Sequence, residues 1–299
     1  MLDVVMVSAQ VVDFQTVHRR DYMLSLDSQL TMDKPPIIIG GCPRSGTTLL
    51  RTMLGSHPNI CAGPELAMTM QASEAAINTW NRIGERAKTA YGLEDGDFAR
   101  AYGKSVEHIL EIIRQKKGKP RIADKMPQSV QHFPTLCWML PDSPLIHIIR
   151  DGRDVACSIY NYEVEMKDDN GNIMEFAKDP VVGCNYWKWI TGRGMILRDH
   201  PCSDRYYEIF YENLVRDPEK EMRKLLKFIN EPWSDQVLDY FKTEQNVPEY
   251  THKNVLNPPS TKSIGKWKKQ LSKKQKKRIR EKCDDALTHL GYSETALKK

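Results

Sequence analysis

The segment from Gly41 to Thr48 constrains the fold more than any other part of this sequence. Its residues are Gly-Cys-Pro-Arg-Ser-Gly-Thr-Thr, and it lies between the apolar run 37–39 and a stretch with helical spacing. A loop of this kind between a strand and a helix turns backbone N–H groups inward and directs a helix N-terminus at an anion. Gly46 lets the backbone approach closely because it has no Cβ. The segment therefore predicts an α/β fold that binds a phosphate-like group.

The loop departs from the nucleotide triphosphatase motif GxxxxGK[ST] at one position. Gly41 and Gly46 have the spacing of that motif, but Thr47 stands where the motif requires lysine. The cation lies within the loop instead, as Arg44. This difference disfavours a small-molecule kinase or P-loop NTPase, and it favours a donor whose 5′-phosphate carries one transferable group. A non-catalytic nucleotide- or polyanion-binding protein is the other alternative.

Short apolar runs alternate with helical segments along the chain. The runs are 37–39, 60–62, 121–123, 145–149 and 207–210, and the helical segments are 47–56, 98–116, 129–140, 153–165, 182–200, 218–230 and 272–290. Ser272 is a candidate N-cap and Gly291 a candidate C′ residue of the last helix. The pattern predicts a parallel sheet with right-handed crossovers and helices on both faces. We expect a single domain over residues 35–299, with residues 1–34 as a peripheral N-terminal extension.

Four ionisable residues follow predicted strands that are far apart in the sequence. They are Arg44, Glu65, Lys125 and Arg150. In a parallel α/β sheet, ligands bind outside the carboxyl ends of the strands. We therefore expect these four side chains to converge on one edge of the sheet.

Charge is concentrated near the C-terminus. The chain has 44 Lys+Arg and 39 Asp+Glu, which is only mildly basic, but residues 262–282 contain eleven Lys/Arg and one Glu. This segment is a solvated helix face, a cationic lid over an anionic ligand, or a patch for an acidic partner.

The seven cysteines are odd in number and include no CxxC pair. We interpret them as reduced, which predicts a cytoplasmic protein. No tight Cys/His cluster is visible in the sequence, so no metal is expected. The apolar stretches near the N-terminus are too short for a membrane span.

Three motifs in order resemble those of sulfotransferases that use 3′-phosphoadenosine-5′-phosphosulfate (PAPS). Residues 43–49 resemble the 5′-phosphosulfate loop, residues 150–158 resemble the 3′-phosphate motif, and Lys266-Trp267 resembles the C-terminal segment that covers the donor. The order and spacing agree with that family from about residue 36 to residue 292. The resemblance implies a three-layer α/β/α fold with a central parallel sheet, similar to P-loop NTPases.

Within the superfamily, the chain most resembles the tyrosylprotein sulfotransferases and related bacterial enzymes. Glu65 lies seventeen residues after Thr48, where that branch has a glutamate base. Lys125 and the element Tyr211-Glu-Asn-Leu also match. The chain departs from the cytosolic steroid and phenol enzymes, because Pro127 stands near the position of their histidine base. It departs from the peptide-sulfating enzymes at Tyr162, where they carry arginine.

The resemblance implies a role for each site residue. Glu65 would be the general base, with His132 as the alternative, and Arg44 and Lys125 would bind the bridging and sulfonate oxygens. Thr47 and Thr48 would hold the 5′-phosphate, Arg150 and Ser158 the 3′-phosphate, and Lys266 would close over it. The full set of donor-binding residues is Arg44, Ser45, Gly46, Thr47, Thr48, Arg150, Ser158, Tyr211 and Lys266.

The expected reaction is sulfonate transfer from PAPS to a hydroxyl acceptor, which leaves adenosine 3′,5′-bisphosphate (PAP). A small alcohol or a glycan hydroxyl is the first choice of acceptor, and peptidyl tyrosine is the alternative. No nucleic-acid partner or membrane span is expected, and a homodimer is left open.

Overall fold

The computed structural model describes residues 32–162, 166–168, 170–242 and 257–292. Its five strands form one parallel sheet in the order β2-β3-β1-β4-β5. The strands are β1 (Ile37–Gly40), β2 (Ile60–Ala62), β3 (Arg121–Lys125), β4 (Leu145–Ile149) and β5 (Tyr206–Phe210). The helices are α1 (Thr47–Gly55), α2 (Met68–Tyr91), α3 (Asp95–Lys117), α4 (Phe133–Met139), α5 (Gly152–Tyr160), α6 (Glu175–Lys178), α7 (Pro180–Met195), α8 (Tyr211–Arg216), α9 (Pro218–Phe228), α10 (Trp267–Gln270) and α11 (Lys273–His289).

Strand β1 lies at the centre of the sheet, between β3 and β4, and all of its residues are buried. Because successive strand residues point to opposite faces, Ile38 packs with the helices of one side, including α5, α7 and α11. Ile37 and Ile39 pack on the other side, against α1 and α9. The sheet is thus covered on both faces, which confirms the predicted three-layer α/β/α architecture.

Three helical predictions differ from the structure. The segment predicted as one helix over 182–200 is α-helical only to Met195 and continues as a 3-10 turn (Ile196–Asp199). Residues 129–140 were predicted as one helix, but a 3-10 turn (Pro127–His132) precedes α4. Pro134 explains this break, since it has no N–H to donate and is accommodated only in the first turn of a helix. The predicted helix 153–165 ends at Tyr160, and residues 163–165 lie outside the described part of the chain. Helix α2 is a long regular helix that the sequence pattern did not resolve.

The capping prediction for the last helix is confirmed. Ser272 Oγ accepts a hydrogen bond from Gln275 N at 3.2 Å, and Gln275 Oε1 accepts one from Ser272 N at 2.9 Å. Together these bonds form a capping box. Gly291 has φ 78°, the left-handed conformation expected after a helix end.

The interpretation of all cysteines as reduced is wrong for one pair. Cys137 of α4 and Cys202, just before β5, are joined by a disulfide. His200 Nδ1 lies 3.8 Å from Cys137 Sγ, so the expectation that no tight Cys/His cluster exists is wrong as well. The partners are separated by 65 residues in the chain, and only the fold brings them together.

Among the described residues, no helix combines the length and the apolar composition needed to cross a membrane. Of the predicted N-terminal extension 1–34, residues 1–31 lie outside the described part of the chain. The single domain over residues 35–299 stays a prediction.

Helix α3 packs closely against α4 at Gly103, where an added Cβ would overlap the carbonyl oxygen of Met139. We expect Gly103→Ala to lower the free energy of unfolding by about 1–3 kcal/mol, the usual cost of overpacking. Gly96→Ala on the same helix is the matched control, because its Cβ would lie 3.8 Å from the Trp138 ring. Denaturant unfolding of both variants is the measurement, and equal stability of the two would contradict the assigned packing.

Candidate active site

The loop after β1 is held in shape by its glycines and by the neighbouring strands. Gly41 N donates a hydrogen bond to Pro127 O at 2.9 Å. Gly46 has φ 100° and packs on Tyr211, whose ring an added Cβ would approach to 2.5 Å. Arg44 also has a left-handed backbone, with φ 72°. The backbone therefore bends inside the loop, and α1 begins at Thr47 with no side chain capping its N-terminus.

Arg150 connects this loop to the chain near the C-terminus. It follows β4 directly and is 7% exposed. Its Nη1 donates to Arg44 O at 2.9 Å, and its Nη2 donates to Ser263 O at 2.8 Å. Its guanidinium also lies over the Tyr211 ring, 4.5 Å from the centroid. One buried guanidinium thus donates hydrogen bonds to two backbone segments and stacks on one aromatic ring.

Arg44 and Ser158 are in direct contact. Arg44 Nε donates to Ser158 Oγ at 3.2 Å. The guanidinium carbon of Arg44 lies 3.9 Å from the centroid of the Tyr162 ring, a distance typical of a cation–π interaction. These contacts place the Arg44 side chain beside α5 and the two residues predicted to hold the 3′-phosphate.

Residues 263–267, which we call the strap, cover this region. Tyr211 Oη and Ser263 Oγ are 2.6 Å apart, within hydrogen-bond distance. The buried Asp154 of α5 accepts from Gly265 N at 2.6 Å and from Trp267 N at 2.9 Å. Burial raises the pKa of the Asp154 carboxyl, and these backbone donors oppose that change. Lys266 lies in the strap with an exposed side chain.

Glu65 and Lys125 form the second part of the site. Lys125 is the last residue of β3, and its Nζ donates to Glu65 Oε1. The Lys125 side chain is 3% exposed, whereas that of Glu65 is 44% exposed. Burial lowers the pKa of the Lys125 ammonium, and the Glu65 carboxylate opposes that change. An exposed carboxylate is thus paired with a cation that is almost fully removed from solvent.

Sequence reasoning missed Arg51, which supports the turn that leads to Glu65. Its Nη1 donates to Ala62 O at 3.2 Å and to Gly63 O at 3.5 Å. Arg51 lies one helical turn after Thr47, on the inner face of α1, where it is buried. The sequence did contain one indication of this role, because the helical spacing places Arg51 on the same face as the apolar residues Leu50 and Leu54, which are buried.

Sequence reasoning also missed Asp124, the buried neighbour of Lys125. Its Oδ2 accepts from Thr69 Oγ1 at 2.7 Å, and that hydroxyl lies 2.9 Å from Ser129 Oγ. Burial raises the pKa of the Asp124 carboxyl, with the Thr69 hydrogen bond and Lys125 opposing this change. This cluster joins α2 and the 3-10 turn to the end of β3, and so fixes the strand end that carries Lys125.

The alternative base, His132, lies in a different environment. Its Nε2 is 3.4 Å from Glu74 Oε1 on α2, and its side chain is 12% exposed. Burial lowers the pKa of His132, and Glu74 opposes that change. His132 is thus engaged by a surface carboxylate of the neighbouring helix.

Two buried polar atoms at the junction of the loop and the strap bear on what the site can bind. Within the described residues, Ser45 Oγ and Arg150 Nε have no hydrogen-bond partner in the protein. Burying such groups without a partner is unfavourable by about 1–3 kcal/mol each. A hydroxyl and a guanidinium N–H are both donors to phosphate oxygens, and the α1 N-terminus favours negative charge. The arrangement therefore fits an anionic ligand.

The family assignment rests on a match that covers most of the chain. The profile of the Sulfotransferase family matches residues 35–235, so this chain belongs to the sulfotransferase family. A protein-tyrosine sulfotransferase of Drosophila melanogaster is 29% identical over 276 residues, which are 87% of this chain and 52% of that protein. The chain therefore spans about half the length of this curated relative.

Two solved structures have the same fold. The sulfotransferase domain from the curacin biosynthetic pathway matches with a TM-score of 0.56 and 20% identity, over 85% of this chain and 99% of that one. Mouse sulfotransferase SULT7A1, complexed with PAP, matches with a TM-score of 0.51 and 13% identity, over 88% of this chain and 86% of that one. At these identities the likeness concerns the fold alone.

We predict that Asp154 keeps the strap closed. Asp154→Asn replaces one acceptor oxygen with a donor that faces a backbone N–H. We expect hydrogen exchange at Gly265 and Trp267 to accelerate roughly 10- to 100-fold, since a hydrogen bond to a charged group contributes about 1.5–3 kcal/mol. Asp285→Asn is the control, because that carboxylate is exposed and paired with Lys188. Unchanged exchange at the strap in Asp154→Asn would disprove the role.

Proposed function

We propose that this protein is an enzyme that transfers a sulfonate group from PAPS to a hydroxyl acceptor. The observation that carries the proposal is the double contact of Arg44 with the residues after β4. Its carbonyl accepts from Arg150 and its side chain donates to Ser158. The loop and the proposed 3′-phosphate pair therefore adjoin each other, so one adenosine with phosphates at both ends can contact both.

The donor is held by residues at the ends of three neighbouring strands in this proposal. Ser45, Gly46, Thr47 and Thr48 bind the 5′-phosphate through loop N–H groups and hydroxyls, with the α1 N-terminus behind them. Arg150 and Ser158 bind the 3′-phosphate, with Arg44 between the two groups. The Tyr211 ring packs against Gly46 of the loop, and Lys266 closes over the nucleotide. The PAP named in the mouse structure is in line with this choice of nucleotide.

Bound PAPS would supply a sulfonate group already activated by its bond to a phosphate oxygen. Glu65 accepts the proton of the acceptor hydroxyl while that oxygen bonds to sulfur. Lys125 and Arg44 stabilise the charge that grows on the bridging and sulfonate oxygens as the sulfur–oxygen bond of the donor breaks. The exposures agree with these roles, because the half-exposed carboxylate can meet an acceptor from solvent while the buried ammonium stays in place.

The acceptor is proposed only as a hydroxyl. A small alcohol or glycan is our first proposal, and the name of the Drosophila relative supports peptidyl tyrosine, the alternative predicted from the sequence. A screen with labelled donor and one representative of each class distinguishes them. A cytoplasmic location also stays a proposal, and it loses part of its support because disulfides such as Cys137–Cys202 are typical of oxidising compartments.

Arg150 is expected to discriminate between one and two phosphates. Arg150→Ala should weaken the binding of PAP roughly 100-fold more than the binding of AMP, since loss of charge-assisted hydrogen bonds to one phosphate removes about 2–3 kcal/mol. Loss of the contact with Arg44 O loosens the loop and affects both ligands alike. Calorimetric titration with both ligands is the measurement. Arg278→Ala, a substitution of a cation on α11, is the control. Equal loss for both ligands would refute the 3′-phosphate role.

Glu65 is expected to act in turnover and not in donor binding. Glu65→Gln should lower kcat at least ~100-fold, the scale of general-base catalysis, and should retain PAP binding. Glu74→Gln on the neighbouring helix is the matched control, and His132→Asn tests the alternative base. If His132→Asn abolished turnover and Glu65→Gln did not, the assignment of the base would be wrong.

A further inference from the structure

Cys137, His200 and Cys202 form a cluster that the proposed reaction does not use. Their three ligand atoms, two Sγ and the Nδ1 of His200, lie within 4.8 Å of one another. Cys137 and Cys202 are buried, and His200 is half-buried. We propose that, when the two cysteines are reduced, this cluster is a zinc-binding site.

The chemistry of the three donors fits zinc. Thiolate sulfur and imidazole nitrogen are its preferred protein ligands, at about 2.3 Å and 2.0–2.1 Å in tetrahedral sites. Those bond lengths require sulfur and nitrogen ligands about 3.6 Å apart. The observed distance from His200 Nδ1 to Cys137 Sγ is 3.8 Å. The imidazole therefore needs little movement, and a water or another group completes the fourth position.

Arg205 places a positive charge beside one of the sulfur ligands. Arg205 Nη2 donates to Cys137 Sγ at 3.1 Å and to Cys137 O at 3.1 Å. Its Nη1 donates to the carbonyls of Leu140 and Ser143, so the guanidinium is fixed beside the sulfur. The positive charge of this guanidinium lies in hydrogen-bond contact with the sulfur and stabilises negative charge there. With two thiolates and one divalent cation, the ligands and metal are neutral together.

The backbone fixes the spacing of the ligands. His200, Pro201 and Cys202 form a tight turn, in which Ser203 N donates to His200 O at 2.9 Å and Arg205 N donates to Cys202 O at 3.1 Å. Zinc at His200 Nδ1 would replace the long hydrogen bond of 3.3 Å that this atom now accepts from Cys202 N. Cys137 comes from α4, on a different part of the chain. Two ligands on one turn and a third on a helix define a rigid, three-sided site.

The disulfide and the zinc site exclude each other, because the disulfide uses both sulfur ligands. The structure shows the oxidised form. Reduction by a dithiol such as dithiothreitol breaks the S–S bond with two electrons and two protons, and the dithiol becomes its own cyclic disulfide. Zinc then displaces the thiol protons that remain. Metal occupancy therefore reports the redox state of this pair.

The test uses the 299-residue protein, reduced with dithiothreitol and transferred to anaerobic buffer. Zn²⁺ is titrated against a chromophoric chelator, and Co²⁺ is added separately because thiolate ligation gives it a sulfur-to-metal charge-transfer band. We expect one equivalent of Zn²⁺ to bind to the reduced protein and none to the oxidised protein. Cys137→Ser or Cys202→Ser should weaken binding at least ~100-fold, and His200→Ala at least ~10-fold.

Two controls separate this cluster from the other cysteines. Cys61→Ser, in β2, should leave zinc binding unchanged. Cys184→Ser/Cys283→Ser should also leave it unchanged, although those thiols are hydrogen-bonded to each other. Circular dichroism verifies that each variant folds, and the Co²⁺ band of His200→Ala gives a readout that does not depend on removing a sulfur. The proposal fails if the reduced protein binds no zinc, or if the Cys137→Ser/Cys202→Ser double variant binds it equally well.

Discussion

The arrangement of the candidate site depends on the buried guanidinium of Arg150. It is 7% exposed and donates to one carbonyl of the loop and one of the strap. Each such charge-assisted hydrogen bond contributes about 1.5–3 kcal/mol, and losing the cation would leave two part-buried carbonyls without that donor. Two segments that are more than a hundred residues apart in the chain are therefore coupled through one side chain at the end of β4.

The parallel sheet brings the residues of the candidate site together, because the carboxyl ends of all five strands lie at the same edge. The loop follows β1, Glu65 follows β2, Lys125 ends β3, Arg150 follows β4 and Tyr211 follows β5. Each strand end therefore supplies one residue or loop of the candidate site. Charge is distributed along that edge in two groups, the Glu65–Lys125 pair on one side of the loop and the arginines on the other. In the proposed function, a nucleotide bound along this edge places its reactive end toward the first group and its far phosphate toward the second.

Much of this arrangement is visible in the sequence because it depends on local rules. Strand β1 is a short apolar run, the loop has its glycines at a fixed separation, and Ser272 and Gly291 mark the ends of α11 by their residue types. The rest depends on contacts between distant residues. Asp124 and the pairing of Cys137 with Cys202 have no local signature, and the position of Arg51 on a buried helix face does not reveal its partners. Pro134 broke a predicted helix because its effect depends on where the first turn begins.

The hydroxyl of Tyr292 donates to the buried Glu212 at 2.8 Å, and its carbonyl accepts from Arg153 at 2.6 Å. Glu212 in turn accepts from Asp151 N at 2.9 Å, directly beside Arg150. During synthesis the loop and the first strands leave the ribosome long before Tyr292 exists. These buried contacts next to Arg150 are thus completed late in synthesis, and a chain that ended between Trp267 and Tyr292 would carry the three sequence motifs but lack these hydrogen bonds.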